Sequence, residues 1–259
     1  MSQAAGLVYL MYHELELPSR TLCQDEPGYV RYIVSISDFR AQMQAVKEAG
    51  LRGMSVREAL SKPEGPGVVI TFDDGCETDL IAAAPLLHEL GFNATFYVTV
   101  GFLDRRGYLS RAQLRRLSDL GFDVGSHSIT HPYLTDLKQD QLAHEISGSK
   151  LELEQITGRP IEHFSCPGGR WDARVAATAR QAGYRSVATS RAEANSTATD
   201  AFRLGRVAVM RGTNLATFQT HTKGHDLWRL RFKDSARASI KRLLGNAVYD
   251  RLRRRILRG

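Results

Sequence analysis

The sequence is poor in cysteine, with three thiols, Cys23, Cys76 and Cys166, in 259 residues. Odd in number and widely spaced, they exclude a disulfide framework and predict free thiols in a reducing compartment. Long apolar runs are missing as well. No stretch approaches the ~20 residues that a membrane-spanning helix needs. The opening "MSQAAGLVYLMYHE" has no basic n-region, and its apolar run stops at Tyr12, His13 and Glu14, too soon for a signal peptide. These absences predict a cytoplasmic protein. There is no internal repeat and no low-complexity tract, and 42% hydrophobic with 24% charged residues excludes a disordered or fibrous chain. The length suits one large α/β domain. The net charge of +7 is uneven: Arg229 to Arg258 carry eleven Lys or Arg against two Asp, which leaves a net −2 for the rest.

What is present is an alternation of β-branched runs and segments of helical period. Strands are predicted at 6–12, 67–72, 93–100, 122–126, 161–167, 184–190 and 203–209. Between them the pattern predicts helices in "SDFRAQMQAVKEAG" with Ser37 as cap, "TDLIAAAPLLHELG", "SRAQLRRLSDLG" with Ser110 as cap, "QDQLAHEISGSKLELEQITG" and "DARVAATARQAG". Repeated βα units imply a parallel sheet, either a barrel or an open doubly wound sheet, and in both a ligand sits at the carboxyl ends of the strands.

"VVITFDDG", residues 68–75, puts two carboxylates at such an end. Asp-Asp-Gly is also good turn chemistry after a strand, so the pair alone decides nothing. Further on, "VGSHSITHPYL" places His127 and His131 four apart, a spacing that sets both imidazoles on one face of a helical turn. With a carboxylate from another strand end they make the three protein ligands of an open catalytic zinc site. A divalent ion lowers the pKa of bound water from 15.7 toward ~7 and polarises an adjacent carbonyl. One carboxylate then has to bind the ion while its neighbour accepts the proton.

"TFDDG" followed by "HSITHP" resembles the first two signature motifs of the polysaccharide deacetylases, carbohydrate esterase family 4, the NodB homology domain. The resemblance implies a distorted (β/α) barrel over residues 1–228 that uses one divalent ion, zinc by preference, to remove N-acetyl groups from amino sugars of a polysaccharide or glycan precursor. It implies Asp73 as general base and Asp74, His127 and His131 as metal ligands. The third motif is altered: "FSCPGGRWD" has Ser165 where the family often has Arg, and either Arg170 or Arg206 is expected to orient Asp73 instead. Gly168 falls where the family's backbone N–H holds the oxyanion. The family's late motif with the acid histidine is missing near the end of the chain, where His221 and His225 follow a helical pattern. His13, at the end of "LVYLMYHE", resembles that motif moved to the front, as in a circularly permuted subgroup, and becomes the general acid. Trp171 is a candidate apolar wall for a sugar ring.

The segment 229–259 repeats apolar residues at helical spacing, including Ile240, Leu243, Leu244, Val248, Leu252 and Ile256, under a cationic rim. Such a helix packs on the barrel or lies on an anionic membrane surface, on the inner face for a cytoplasmic protein. Nucleic acid is not expected, because no stacking aromatics are interleaved. Two other readings stay open beside the deacetylase: a catalytically silent sugar-binding barrel, favoured by the altered third motif, and a hydrolase of another C–N amide such as a formamide.

Overall fold

The structure, a computed structural model, describes residues 6–61 and 65–232. Its strands are β1 (Val8–Tyr12), β2 (Leu15–Glu16), β3 (Val34–Ser35), β4 (Arg52–Met54), β5 (Gly67–Asp74), β6 (Thr95–Val98), β7 (Asp123–Ser126), β8 (His163–Ser165), β9 (Ser186–Ala188) and β10 (Val207–Ala208). β2 and β3 form a small pair of their own. The rest make one parallel sheet in the order β10-β1-β5-β6-β7-β8-β9, with β4 paired to the start of β5. A parallel bridge from Ala188 to Leu204 brings the segment before β10 onto β9. The sheet is thereby curled toward closure, and the expected distorted (β/α) barrel is what forms.

Strand alternation sorts the side chains onto two faces. Val8, Leu10, Tyr12, Val68, Ile70, Phe72, Phe96, Val124 and Phe164 join the main core, together with helix residues such as Phe39, Leu87, Leu114, Ile146 and Val175. Tyr9, Val69, Tyr97, Ala188 and Leu204 make a separate inner cluster with Val56 and Ala59 of the short helix Val56–Leu60. The same parity carries Thr71 and Asp73, Thr95, Asp123 and Gly125, and His163 and Ser165 onto the inner face. Gly125 is a packing requirement there, since a Cβ would stand 2.4 Å from the Tyr97 ring. The inner face is apolar at mid-height and polar at both ends.

All seven predicted strands are present, six of them shorter by one to four residues at one or both ends; β5 instead runs on to Asp74. β4 was not foreseen: three residues long, it has Gly53 where a Cβ would strike the Phe92 ring at 2.6 Å. The helix Ile36–Glu48 is capped by Ser35, which accepts from the Asp38 N–H, and not by Ser37. Ser110 caps Arg111–Asp119 through a capping box with Gln113, as expected. Two helical segments open or pass through π turns, Asp79–Ala83 and His144–Gly148. Among the described residues no helix is long and apolar enough to cross a membrane. The basic segment 229–259 lies outside the described residues except for the helical turn at 229–232.

Candidate active site

β5 carries both carboxylates to the top of the sheet. Alternation alone would turn Asp74 away from Asp73, but Asp74 has φ 82° and Gly75 has φ 80°. A non-glycine residue in the left-handed region costs energy, and here it redirects the second carboxylate to the side of the first. Asp73 Oδ2 and Asp74 Oδ1 lie 3.8 and 3.7 Å from the same atom, His127 Nε2. Asp74 Oδ1 is also 3.5 Å from His131 Nε2.

The two histidines follow β7 in a loop, not on the helical turn their spacing suggested: Ser128 (φ 70°) and His131 (φ 62°) are both left-handed. The loop is held from within by the Ser128 hydroxyl, which accepts from the His131 N–H. From outside it is held by Glu145, whose carboxylate accepts from the N–H groups of Ile129 and Thr130 and from the Thr130 hydroxyl at 2.6 Å. Glu145 was missed in the sequence, where it reads as one more residue of an amphipathic helix.

Asp74, His127 and His131 form one of two groups among the described residues that could hold a metal, with ligand atoms all within 4.8 Å of one another; the other is Glu14, Cys23 and Cys76. The His127 Nδ1 lies 2.8 Å from the Ser165 carbonyl. A carbonyl only accepts, so Nδ1 carries the proton and Nε2 turns a lone pair toward Asp74. Burial pushes the His127 imidazolium pKa down to about 3 and lowers that of His131, so both rings are neutral. Asp74 Oδ1 is buried without a hydrogen-bond partner. Burial first, and the neighbouring Asp73 carboxylate, push its carboxyl up to about 6 against the pull of His13. Acceptors that converge in this way fit a cation.

Asp73 is held differently. Burial would raise its carboxyl, but the Arg206 guanidinium, then His127, outweigh burial and hold it well below the usual carboxylate range. Arg206 is itself buried and spends all five donors. Nη1 and Nη2 reach Asp73 Oδ1 and Oδ2 at 2.7 and 2.8 Å, and the remaining bonds go to Thr71 Oγ1, Ser165 Oγ and the Thr189 carbonyl. This is the bidentate geometry suited to fixing a carboxylate plane. Ser165, at the third-motif position, is short enough to leave the guanidinium room and bonds to it at 2.8 Å. Arg170, the other candidate, is not brought to Asp73: it stacks 3.4 Å over the Tyr133 ring and pairs with Asp136 at 3.6 Å.

His13 follows β1, whose Tyr12 is in register with Phe72 of β5, so His13 stands level with Asp73. Its imidazole lies close enough to act on both Asp73 and Asp74. Its ring lies 4.9 Å from that of Tyr32, and Nδ1 is buried without a hydrogen-bond partner. Gly168 has φ 61°, and a Cβ there would meet Tyr133 at 2.9 Å. Trp171 packs against the main core and donates its Nε1–H to the Phe202 carbonyl at 2.7 Å. The aromatic ring that stands exposed beside Gly168 is that of Tyr133, which follows the second motif directly. Its place after "HSITHP" was the available signal.

Residues 61–187 match the family model described as Polysaccharide deacetylase. YxkH of Bacillus subtilis (strain 168) is 27% identical over 220 residues, 83% of this chain and 75% of that protein. The peptidoglycan-N-acetylglucosamine deacetylase of Bacillus cereus is 32% identical over 122 residues, 46% of this chain and about half (54%) of that relative. Among solved structures, Streptococcus pyogenes deacetylase PplD, in complex with acetate, superposes with a TM-score of 0.75 at 23% identity, covering 84% of this chain and 98% of that one. At that identity the fold is what the two share.

Proposed function

This chain belongs to the polysaccharide deacetylase family, and from that premise we propose that it hydrolyses the N-acetyl group of an amino sugar in a polysaccharide or glycan precursor. Asp74, His127 and His131 would hold one divalent cation, zinc by preference for two imidazoles and a carboxylate. When bound, that cation supplies acidity to water and polarises the amide carbonyl. Asp73 takes the proton of the attacking water on a carboxylate oxygen; paired with Arg206, it remains ionised at every working pH. The Gly168 backbone N–H would face the developing oxyanion. His13, level with Asp73 on the neighbouring strand, protonates the leaving nitrogen, the role the family's late motif plays when it is moved to the front of the chain. Tyr133 replaces Trp171 as the surface offered to the sugar ring, because the indole is already committed to packing and to Phe202.

The observation that carries this reading is the neighbourhood of two unlike carboxylates. One faces two neutral imidazoles with an unpartnered oxygen, and the other is locked ionised by Arg206, as separate metal-binding and proton-accepting roles require. Arg206 also answers the altered third motif, the feature that favoured a silent sugar-binding barrel. The reading keeps the chain in the cytoplasm, with segment 229–259 either packed on the barrel or on an anionic membrane surface; its support is the sequence pattern alone.

Purified chain is assayed for acetate release from N-acetylated chito-oligosaccharides and peptidoglycan fragments, after chelation and after re-addition of zinc. Acetate release that vanishes on chelation and returns with the metal is expected. Sugar binding without acetate release from any substrate would favour the silent barrel, and formate release from N-formyl sugars in preference to acetate would favour the formamide reading.

A further inference from the structure

Beneath the carboxylate pair lies a second cluster that the proposed reaction does not use. We infer that Cys23 and Cys76 form an oxidisable pair that closes into a disulfide, tying the loop after β2 to the turn after β5. Their sulfurs are 3.7 Å apart although the residues are 53 apart in sequence. Cys76 is the second residue after Asp74 and is buried; Cys23, in a loop, is half-buried and is the sulfur a small oxidant reaches.

The surroundings favour a thiol pair over a metal site. Glu14 lies within ligand distance of both sulfurs, but its lone pairs are spoken for. Its oxygens accept from Arg20 Nη1 at 2.8 Å, from the Cys23 N–H at 2.9 and 3.1 Å, and from the Tyr29 hydroxyl at 3.2 Å. A cation would have to displace the Arg20 guanidinium. The sulfurs themselves sit in a hydrogen-bond chain, Cys23 Sγ 3.0 Å from the Gly107 carbonyl and Cys76 Sγ 3.3 Å from the Tyr29 hydroxyl. Closing the bond to its length of about 2.05 Å asks the sulfurs to approach by roughly 1.7 Å. The cost is the contact with Gly107, and the loop after β2 supplies the movement.

The step balances with a peroxide as oxidant. Hydrogen peroxide transfers one oxygen to the Cys23 sulfur, giving a sulfenic acid and water. The Cys76 sulfur then attacks the Cys23 sulfur, the S–S bond forms, and the sulfenic oxygen leaves as a second water with the Cys76 proton. Two electrons pass from the thiol pair to the peroxide. Cys166 is buried elsewhere and stays reduced.

The test uses the full chain, treated with a small excess of hydrogen peroxide and digested without reductant; it does not depend on the deacetylase reading, because no substrate is involved. The expected result is loss of two titratable thiols of three and a peptide pair joining Cys23 to Cys76. The melting point should rise by on the order of 5 °C or more, reversibly with dithiothreitol, as closure of a long loop predicts. Cys23→Ser should show neither the link nor the rise. A Cys76–Cys166 link, an intermolecular dimer, or Cys23 driven to sulfinic acid with Cys76 still free would overturn the inference. So would stoichiometric zinc retained through these thiols in a chain carrying His127→Ala and His131→Ala. The peptide map of the unmodified chain decides the matter even where a variant fails to fold.

Discussion

The curled sheet sets a buried carboxylate beside an arginine and a histidine at each of its two ends. At the top, Asp73 meets Arg206 and His127; at the bottom, Asp123 meets Arg57 and His163. The bottom set has ordinary backbone and largely satisfied acceptors. Asp123 takes bonds from Arg57 Nε at 3.1 Å and from the Thr95 hydroxyl at 2.8 Å, His163 leans its Nδ1 on the Ser186 hydroxyl, and Arg57 goes on to Glu162. At the top, three residues, Asp74, Ser128 and His131, sit in the left-handed region, and acceptors confront one another. Residue types alone do not separate the two ends. Backbone strain does, because a purely structural cluster has no reason to carry it; an unmet lone pair alone does not, since His163 Nε2 at the bottom is also buried without a hydrogen-bond partner.

The largest effect should come from setting Asp73→Asn against Asp123→Asn. The first should cost ~10² to 10⁴ in turnover with metal content unchanged, as loss of a general base does. Folded protein carrying the second should keep its kcat. Equal losses in the two variants would erase the distinction between the ends.

Arg206→Met comes next. It leaves Asp73 buried beside no cation, which typically costs about 3 to 5 kcal/mol of stability. The acid limb of the pH–rate profile should also move upward, since the guanidinium no longer holds the carboxyl down. Urea unfolding with kcat measured across pH reads both effects, and a profile left in place would remove Arg206 from the mechanism.

His163 tests the bottom end through pH. Burial, then Arg57, push its pKa down to about 3 from the ordinary 6.5. Above 6.5 it is neutral folded or unfolded and contributes nothing. Below that, the unfolded chain binds a proton that the folded one refuses, so stability falls by about 1.4 kcal/mol per pH unit down to about pH 3. Asp123, whose carboxyl is raised by burial, acts in the opposite sense at the acid end of that window. Denaturation of the parent and of His163→Asn at pH 7 and pH 4.5 should show the parent losing more. The histidines at the top are common to both chains and cancel.

The smallest effect belongs to Arg57→Met. Its side chain is 45% exposed, so solvent screens the pair with Asp123, and the loss should be no more than about 1 kcal/mol with turnover unchanged. A loss of several kcal/mol would show that the bottom pair is as dependent on its arginine as the top one.

The barrel was legible because apolar, largely β-branched runs alternate with segments of helical period, and the metal-type residues because two short motifs hold them. The helical reading of His127 and His131 failed because spacing records separation along the chain and not the left-handed turns that Ser128 and His131 adopt. Arg206 could be narrowed only to one of two, since it lies 133 residues from Asp73 and its approach depends on how the sheet curls. Arg170 is nearer to the third motif in sequence, but its guanidinium is taken by the Tyr133 ring and Asp136. The shift of the helix cap from Ser37 to Ser35 is of the same kind, as either serine satisfies the local pattern.

The reach of Arg206 across the sheet also sets an order of events during synthesis. Asp73, Asp74, His127 and His131 leave the ribosome well before residue 206, so a nascent chain can align its first strands only by burying Asp73 without a counter-charge. Such a half-built sheet is penalised electrostatically until the last strands dock, and contacts of this sequence separation are slow to form. Arg206 therefore couples completion of the fold to ionisation of Asp73, and a chain halted before it would bring the two histidines and Asp74 beside a carboxylate that has no counter-charge.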